Sequence, residues 1–87
     1  MQVNADELDG VLKRLKRAQG QIGGVIKMIE DGRECDEVVT QLSAVGKAID
    51  RAAFAVIATG LRECMTSDDE TAELDAQKLE KLFLSLA

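Results

Sequence analysis

Apolar residues recur in the first third of the chain at alternating steps of three and four: Leu8, Val11, Leu15, Ala18, Ile22, Val25 and Ile29. That rhythm predicts a helix whose a/d seam packs against another helix. Asn4 stands before it as an N-cap, with Glu7 three residues on in the capping-box position. Asp31-Gly32 stops it, and Gly32 suits the left-handed position just past a helix C-terminus. A second seam starts near residues 34–36 and runs to about Met65. On it Cys35, Val38, Leu42, Val45, Ile49, Ala52 or Ala53, Val56, Gly60 and Cys64 share one broad face. Between Ala52 and Leu61 this second helix is apolar nearly all round, so it must be covered on several sides.

The polar stretch "MTSDDETAEL" breaks the pattern. Thr71 or Asp75 then caps a short third helix, with Leu79, Leu82, Phe83 and Leu86 as its apolar stripe. Proline, tryptophan and tyrosine are absent and there are only two phenylalanines, so strand and hairpin signals are missing. The expectation is one all-α domain over residues 1–87, a three-helix protomer. An 87-residue chain has too few elements to cover its own apolar surface. Two long helices per chain are therefore expected to pair with a second copy as an antiparallel four-helix-bundle dimer, with the short helix packed outside.

The opening "MQVNADELDG" is polar and acidic, unlike a secretory signal. The longest apolar run is far short of the roughly 20 residues that span a bilayer. A cytoplasmic location without membrane contact is expected, where thiols stay reduced. Cys35 and Cys64 then suggest metal or redox chemistry rather than a structural disulfide. They are 29 residues apart. On one continuous helix that is eight turns and roughly 20°, so both point the same way, about 43 Å apart along the axis. A disulfide needs Cα atoms within about 7 Å. An antiparallel second copy would place Cys35 of one chain against Cys64 of the other, forming two equivalent sites. Cys35, in a first turn near Arg33 but opposed by Glu34, Asp36 and Glu37, is the expected attacking thiol; Cys64, at the negative end of the helix, is the expected resolving thiol of the other subunit. The alternative is Cu(I) held by the same two thiolates, since soft sulfur ligands suit that ion. There is no histidine in the chain to add a third ligand.

The net charge of −5 is unevenly spread. Five bases and no acid lie between Gly10 and Ile29, whereas seven acids lie between Glu63 and Glu80. Lys13, Lys16, Arg17 and Lys27 lie opposite the first seam among Gly20, Gly23 and Gly24, with Arg14 at the flank and Gln19 and Gln21 close by. Each interior glycine weakens a helix by about 1 kcal/mol relative to alanine, a cost that close approach to a helix or a phosphate would offset. Lys47 and Arg51 add an i,i+4 pair on the outer face of the second helix. A nucleic-acid surface is the expected use, through phosphate contacts and DNA shape, because no helix-turn-helix or aromatic platform is evident; the alternative is a solvated face on a helical interaction module that does not bind DNA. No enzyme site is evident either: there is no glycine-rich phosphate loop and no carboxylate pair set in a pocket.

The stretches "LKRLKRAQGQIGGVIKMIEDGREC", "VVTQLSAVGKAIDRAA" and "GLRECM" resemble the copper-sensing and persulfide-sensing transcriptional repressors of the CsoR/CstR family, over about residues 8–65. The resemblance implies an all-α dimer of helical hairpins that forms a homotetramer and binds operator DNA. It puts the family's first cysteine on Cys35 and its last on Cys64. It puts the copper sensors' metal-binding histidine on Gly60, a departure that makes the chain similar to the persulfide-sensing branch. It also implies DNA contacts from Arg14, Arg17 and Arg51 with neighbouring lysines, giving Lys13, Arg14, Lys16, Arg17, Lys47 and Arg51 as the DNA-binding set. The expectation is a repressor without a cofactor. A persulfide or polysulfide donor would act as inducer by cross-linking Cys35 to Cys64 of the adjacent subunit.

Overall fold

The computed structural model describes residues 2–87, so the first residue of the domain expected over 1–87 lies outside the described part. The chain forms three helices: α1 (Asp9–Glu30), α2 (Cys35–Thr66) and α3 (Ala72–Leu86). No strand occurs among the described residues, in line with the all-α expectation. α1 and α2 make a long antiparallel hairpin, and α3 packs on α2 but not on α1.

The α1–α2 turn is built as the sequence predicts. Gly32 has φ +72°. Its N–H donates to the Ile29 carbonyl at 3.1 Å, and the Arg33 N–H reaches back to the Met28 carbonyl at 3.0 Å. These are the two bonds of a Schellman motif, which satisfies carbonyls left open by the helix end. The start of α1 differs from expectation. The Asn4 side chain accepts from the Asp6 N–H at 3.0 Å. The bonds Glu7 N–H to Asn4 O and Leu8 N–H to Ala5 O then close a separate turn ahead of the helix. Leu8, not Asn4, is the N-cap of α1, without a side-chain cap. At α3 Thr71 is the N-cap, again without a side-chain cap. The Thr71 hydroxyl and backbone N–H both donate to Asp69, at 3.0 and 2.9 Å.

The hairpin core is thin. Leu8, Val11, Ala18 and Val25 are buried against the Val45, Ala52 and Ile57 side of α2. The first seam is therefore split lengthwise. Its members at steps of seven, Val11, Ala18 and Val25, face inward, while Leu15, Ile22 and Ile29, joined by Leu12 and Ile26, are 40–60 % exposed. α2 repeats the division, with Val45 and Ala52 inside and Val39, Leu42 and Ile49 exposed. The molecule measures 54 × 26 × 13 Å. Its thinnest dimension is close to one helix diameter of about 10–12 Å, so one chain has no layer with which to cover these outer seams. Phe54 of α2 and Phe83 of α3 meet edge to face, with centroids 5.3 Å apart, and anchor α3.

Candidate effector thiols and nucleic-acid interface

Cys35 is the first residue of α2 and is exposed, whereas Cys64 is half-buried two residues before the helix ends. α2 runs unbroken between them, which keeps the thiols about 43 Å apart along one axis. They do not meet within a chain, and neither is in a disulfide. Among the described residues no three His, Cys, Asp or Glu side chains converge as a metal cluster. Any site using both thiols draws on two chains.

Both signs of charge surround Cys35. Arg33 does not stand free to activate the thiol: its Nε donates to Glu37 Oε2 at 3.0 Å. With Asp36 and Glu37 in the same first turn, the local field is set as much by acids as by the helix dipole. Cys64 lines a cavity of about 150 Å³ with Gln2, Glu63, Ser67 and Asp75, where α2, the following loop and the N-terminal segment meet. Gly60, one turn earlier, borders a smaller apolar cavity of about 80 Å³ beside Val3, Leu8, Val56 and Leu79. The Glu63 carboxyl is held above the usual carboxylate range, chiefly by its hydrogen bond with Glu7, then by desolvation and by repulsion from the Glu7 charge. Glu7, placed in a capping box by the sequence, thus lies beside Glu63 at the Cys64 end of α2.

The second group of functional side chains lies where α1 crosses the middle of α2. Arg14, Arg17 and Gln21 of α1 and Lys47 and Arg51 of α2 line an open groove of about 420 Å³, with Ala44 and Ala48 between them. Four of the six expected cations are thus brought together. Lys13 instead pairs with Asp9 Oδ2 at 3.1 Å on the exposed side of α1, and Lys16 does not line the groove. None of the four groove cations has an ion pair or side-chain hydrogen bond among the described residues. Four like charges without counter-charges favour a polyanion, and a groove of one sign concentrates the field. Of the two glutamines that the sequence sets close to the basic residues, Gln21 lines the groove and Gln19 does not. The signal that reveals it is its step of four from Arg17, itself three beyond Arg14, which sets the three on one stripe of α1.

Comparison with known proteins follows this geometry. A family model described as metal-sensitive transcriptional repressor matches residues 7–86. The chain is 40% identical over 58 residues to the copper-sensing transcriptional repressor RicR of Mycobacterium tuberculosis, covering 67% of this chain and 60% of that protein. It is 46% identical over 59 residues to the uncharacterized protein YrkD of Bacillus subtilis, covering 68% of this chain and 92% of YrkD. It is 32% identical over 62 residues to the copper-sensing transcriptional repressor CsoR of Bacillus subtilis, covering 71% of this chain and 61% of that protein. The matched stretch thus spans about three fifths of each of the two repressors.

Proposed function

Because this chain belongs to the metal-sensitive transcriptional repressor family, we propose that it holds operator DNA through Arg14, Arg17, Lys47 and Arg51, and releases it when a thiophilic effector engages Cys35 and Cys64 of two subunits. The observation that carries the DNA half is the groove of four unpaired cations spanning α1 and α2. Supporting the shared thiol site are the exposed outer seams of both helices. A second copy laid antiparallel on them covers the apolar surface and sets each Cys35 beside a Cys64. Effector binding at that junction favours one packing of the two hairpins. The basic grooves of the subunits then no longer match the DNA backbone, a coupling of two sites through one conformational equilibrium.

For the effector, the relatives' names favour Cu(I) over the reactive sulfur first expected from the sequence, since RicR and CsoR are both called copper-sensing. Two thiolates suit that soft ion, and no histidine is present to add a third ligand. That same lack favours a second reading. Cys35, the exposed thiol, takes a sulfur atom from a persulfide donor and releases the donor's thiol. Cys64 of the other subunit then attacks the inner sulfur, forming an inter-subunit disulfide and releasing hydrogen sulfide.

The test uses duplexes enriched from a random library by the reduced protein and follows their anisotropy. Stoichiometric Cu(I) should release them, and Cys35→Ala and Cys64→Ala should each abolish the response. Release by inorganic polysulfide alone, with a covalent dimer in non-reducing mass spectra, would move the assignment to the second reading. Salt-insensitive or absent DNA binding would end the repressor proposal.

A further inference from the structure

Gln21 is the odd member of the basic groove. Arginine and lysine side chains only donate hydrogen bonds, which suits phosphate oxygens and, on a base edge, the paired acceptors of guanine. The two alanines, Ala44 and Ala48, offer no polar group. Gln21 is the one groove-lining side chain that both donates and accepts. Base edges in the major groove present paired donors and acceptors, and a glutamine amide matches the N6 and N7 of adenine in a bidentate pair.

The backbone on one side of Gln21 is bare. Gly24 and Gly20 lie to one side of it in mid-helix, and a Cβ built at either meets no atom within 4 Å. Packing within the chain therefore does not require these glycines, although they weaken the helix. Gly24 continues the stripe of Arg14, Arg17 and Gln21 by a further step of three. With no side chain on the Gly20 and Gly24 side of Gln21, α1 can approach a DNA groove more closely there than a helix with its usual diameter of about 10–12 Å. The major groove is about 12 Å wide. Arg14 and Arg17 then reach the phosphates on one side of Gln21, and Lys47 and Arg51 come from α2 across the groove.

We propose that Gln21 reads a base edge, adenine by preference, while Arg14, Arg17, Lys47 and Arg51 hold the backbone. This rests on the DNA-binding reading above and adds direct base recognition to it. The experiment is selection of a random duplex library by the full-length reduced protein and by its Gln21→Ala variant, with affinities then measured for the enriched sequence and its single-base substitutions. Helicity by circular dichroism confirms that the variant folds. The wild type should enrich a motif with an adenine whose replacement weakens binding by about 5- to 150-fold. In Gln21→Ala discrimination at that position should fall to within about twofold, while the other positions keep theirs. An unchanged motif with unchanged discrimination overturns the inference and leaves the DNA-binding reading standing. Absence of salt-sensitive binding by the wild type overturns both.

Discussion

Cys35 opens α2 and Cys64 lies two residues before its end, so one unbroken helix keeps the only two thiols of the chain about 43 Å apart. A chemistry that needs both is consequently a chemistry of two chains. Chains carrying only Cys35→Ala or only Cys64→Ala should give no covalent dimer under polysulfide or mild oxidant on non-reducing gels. Mixing the two variants restores one Cys35 and one Cys64 at a single junction, so a cross-linked dimer should reappear. If the mixture stays monomeric while the wild type cross-links, the antiparallel pairing is wrong.

The outer seam should govern assembly. Ile49 is 42 % exposed in the single chain and is flanked on its face by Leu42. Burying a fully exposed side chain of this kind contributes about 1.5–3 kcal/mol, and the exposed part of Ile49 somewhat under half of that. A glutamate carboxylate forced into the same apolar seam adds its own desolvation cost. Ile49→Glu should weaken self-association by about tenfold or more, seen by sedimentation. Wild-type association after that substitution would show that this face is not the interface.

Gly32 should be intolerant for a backbone reason alone. An added Cβ meets no atom within 4 Å, yet φ is +72°. Gly32→Ala should cost about 1 kcal/mol, which for a domain of this size lowers the melting temperature by about 4–8 °C. Gly46, in open space within α2, should gain stability on replacement by alanine. Thermal circular dichroism of the pair checks both signs.

Asp69 should make the start of α3 acid-sensitive. The Thr71 N–H and then its hydroxyl hold the Asp69 carboxyl below its ordinary value of 3.8. A lowered carboxylate pKa contributes stability that is fully present above the unfolded value and is lost as pH falls through the folded one. Amide protection in the first turn of α3 should fall in that acid range in the wild type. In Asp69→Asn, whose amide oxygen still accepts without titrating, this pH dependence should flatten.

Much of the architecture was legible because it depends on short-range physics. The three-four rhythm of Leu8 to Ile29, the stop at Gly32 and the polar break after Met65 are read from neighbours along the chain, and each helix formed where that rhythm placed it. The start of α1 was not legible. Asn4 and Glu7 fit a capping box locally, but the Asn4 side chain accepts from the Asp6 N–H in a separate turn, and the helix starts later, with Leu8 as its N-cap. Lys13 and Arg17 look equivalent on a list of charges. The pairing of Lys13 with Asp9, four positions apart on α1, is local, but only the packing of α1 on α2 shows that Arg17 faces Lys47 and Arg51.

The sequence by itself determined the helices, the separation of the thiols and the sign of each surface, since periodicity, rise per residue and charge need no partner. The tertiary structure decided which half of each seam is buried, which cations converge on one groove and that Gln21 stands among them. Those outcomes depend on the rotation and register of α1 against α2, set by the contacts of Val11, Ala18 and Val25 with the other helix. No single helix pattern contains that angle.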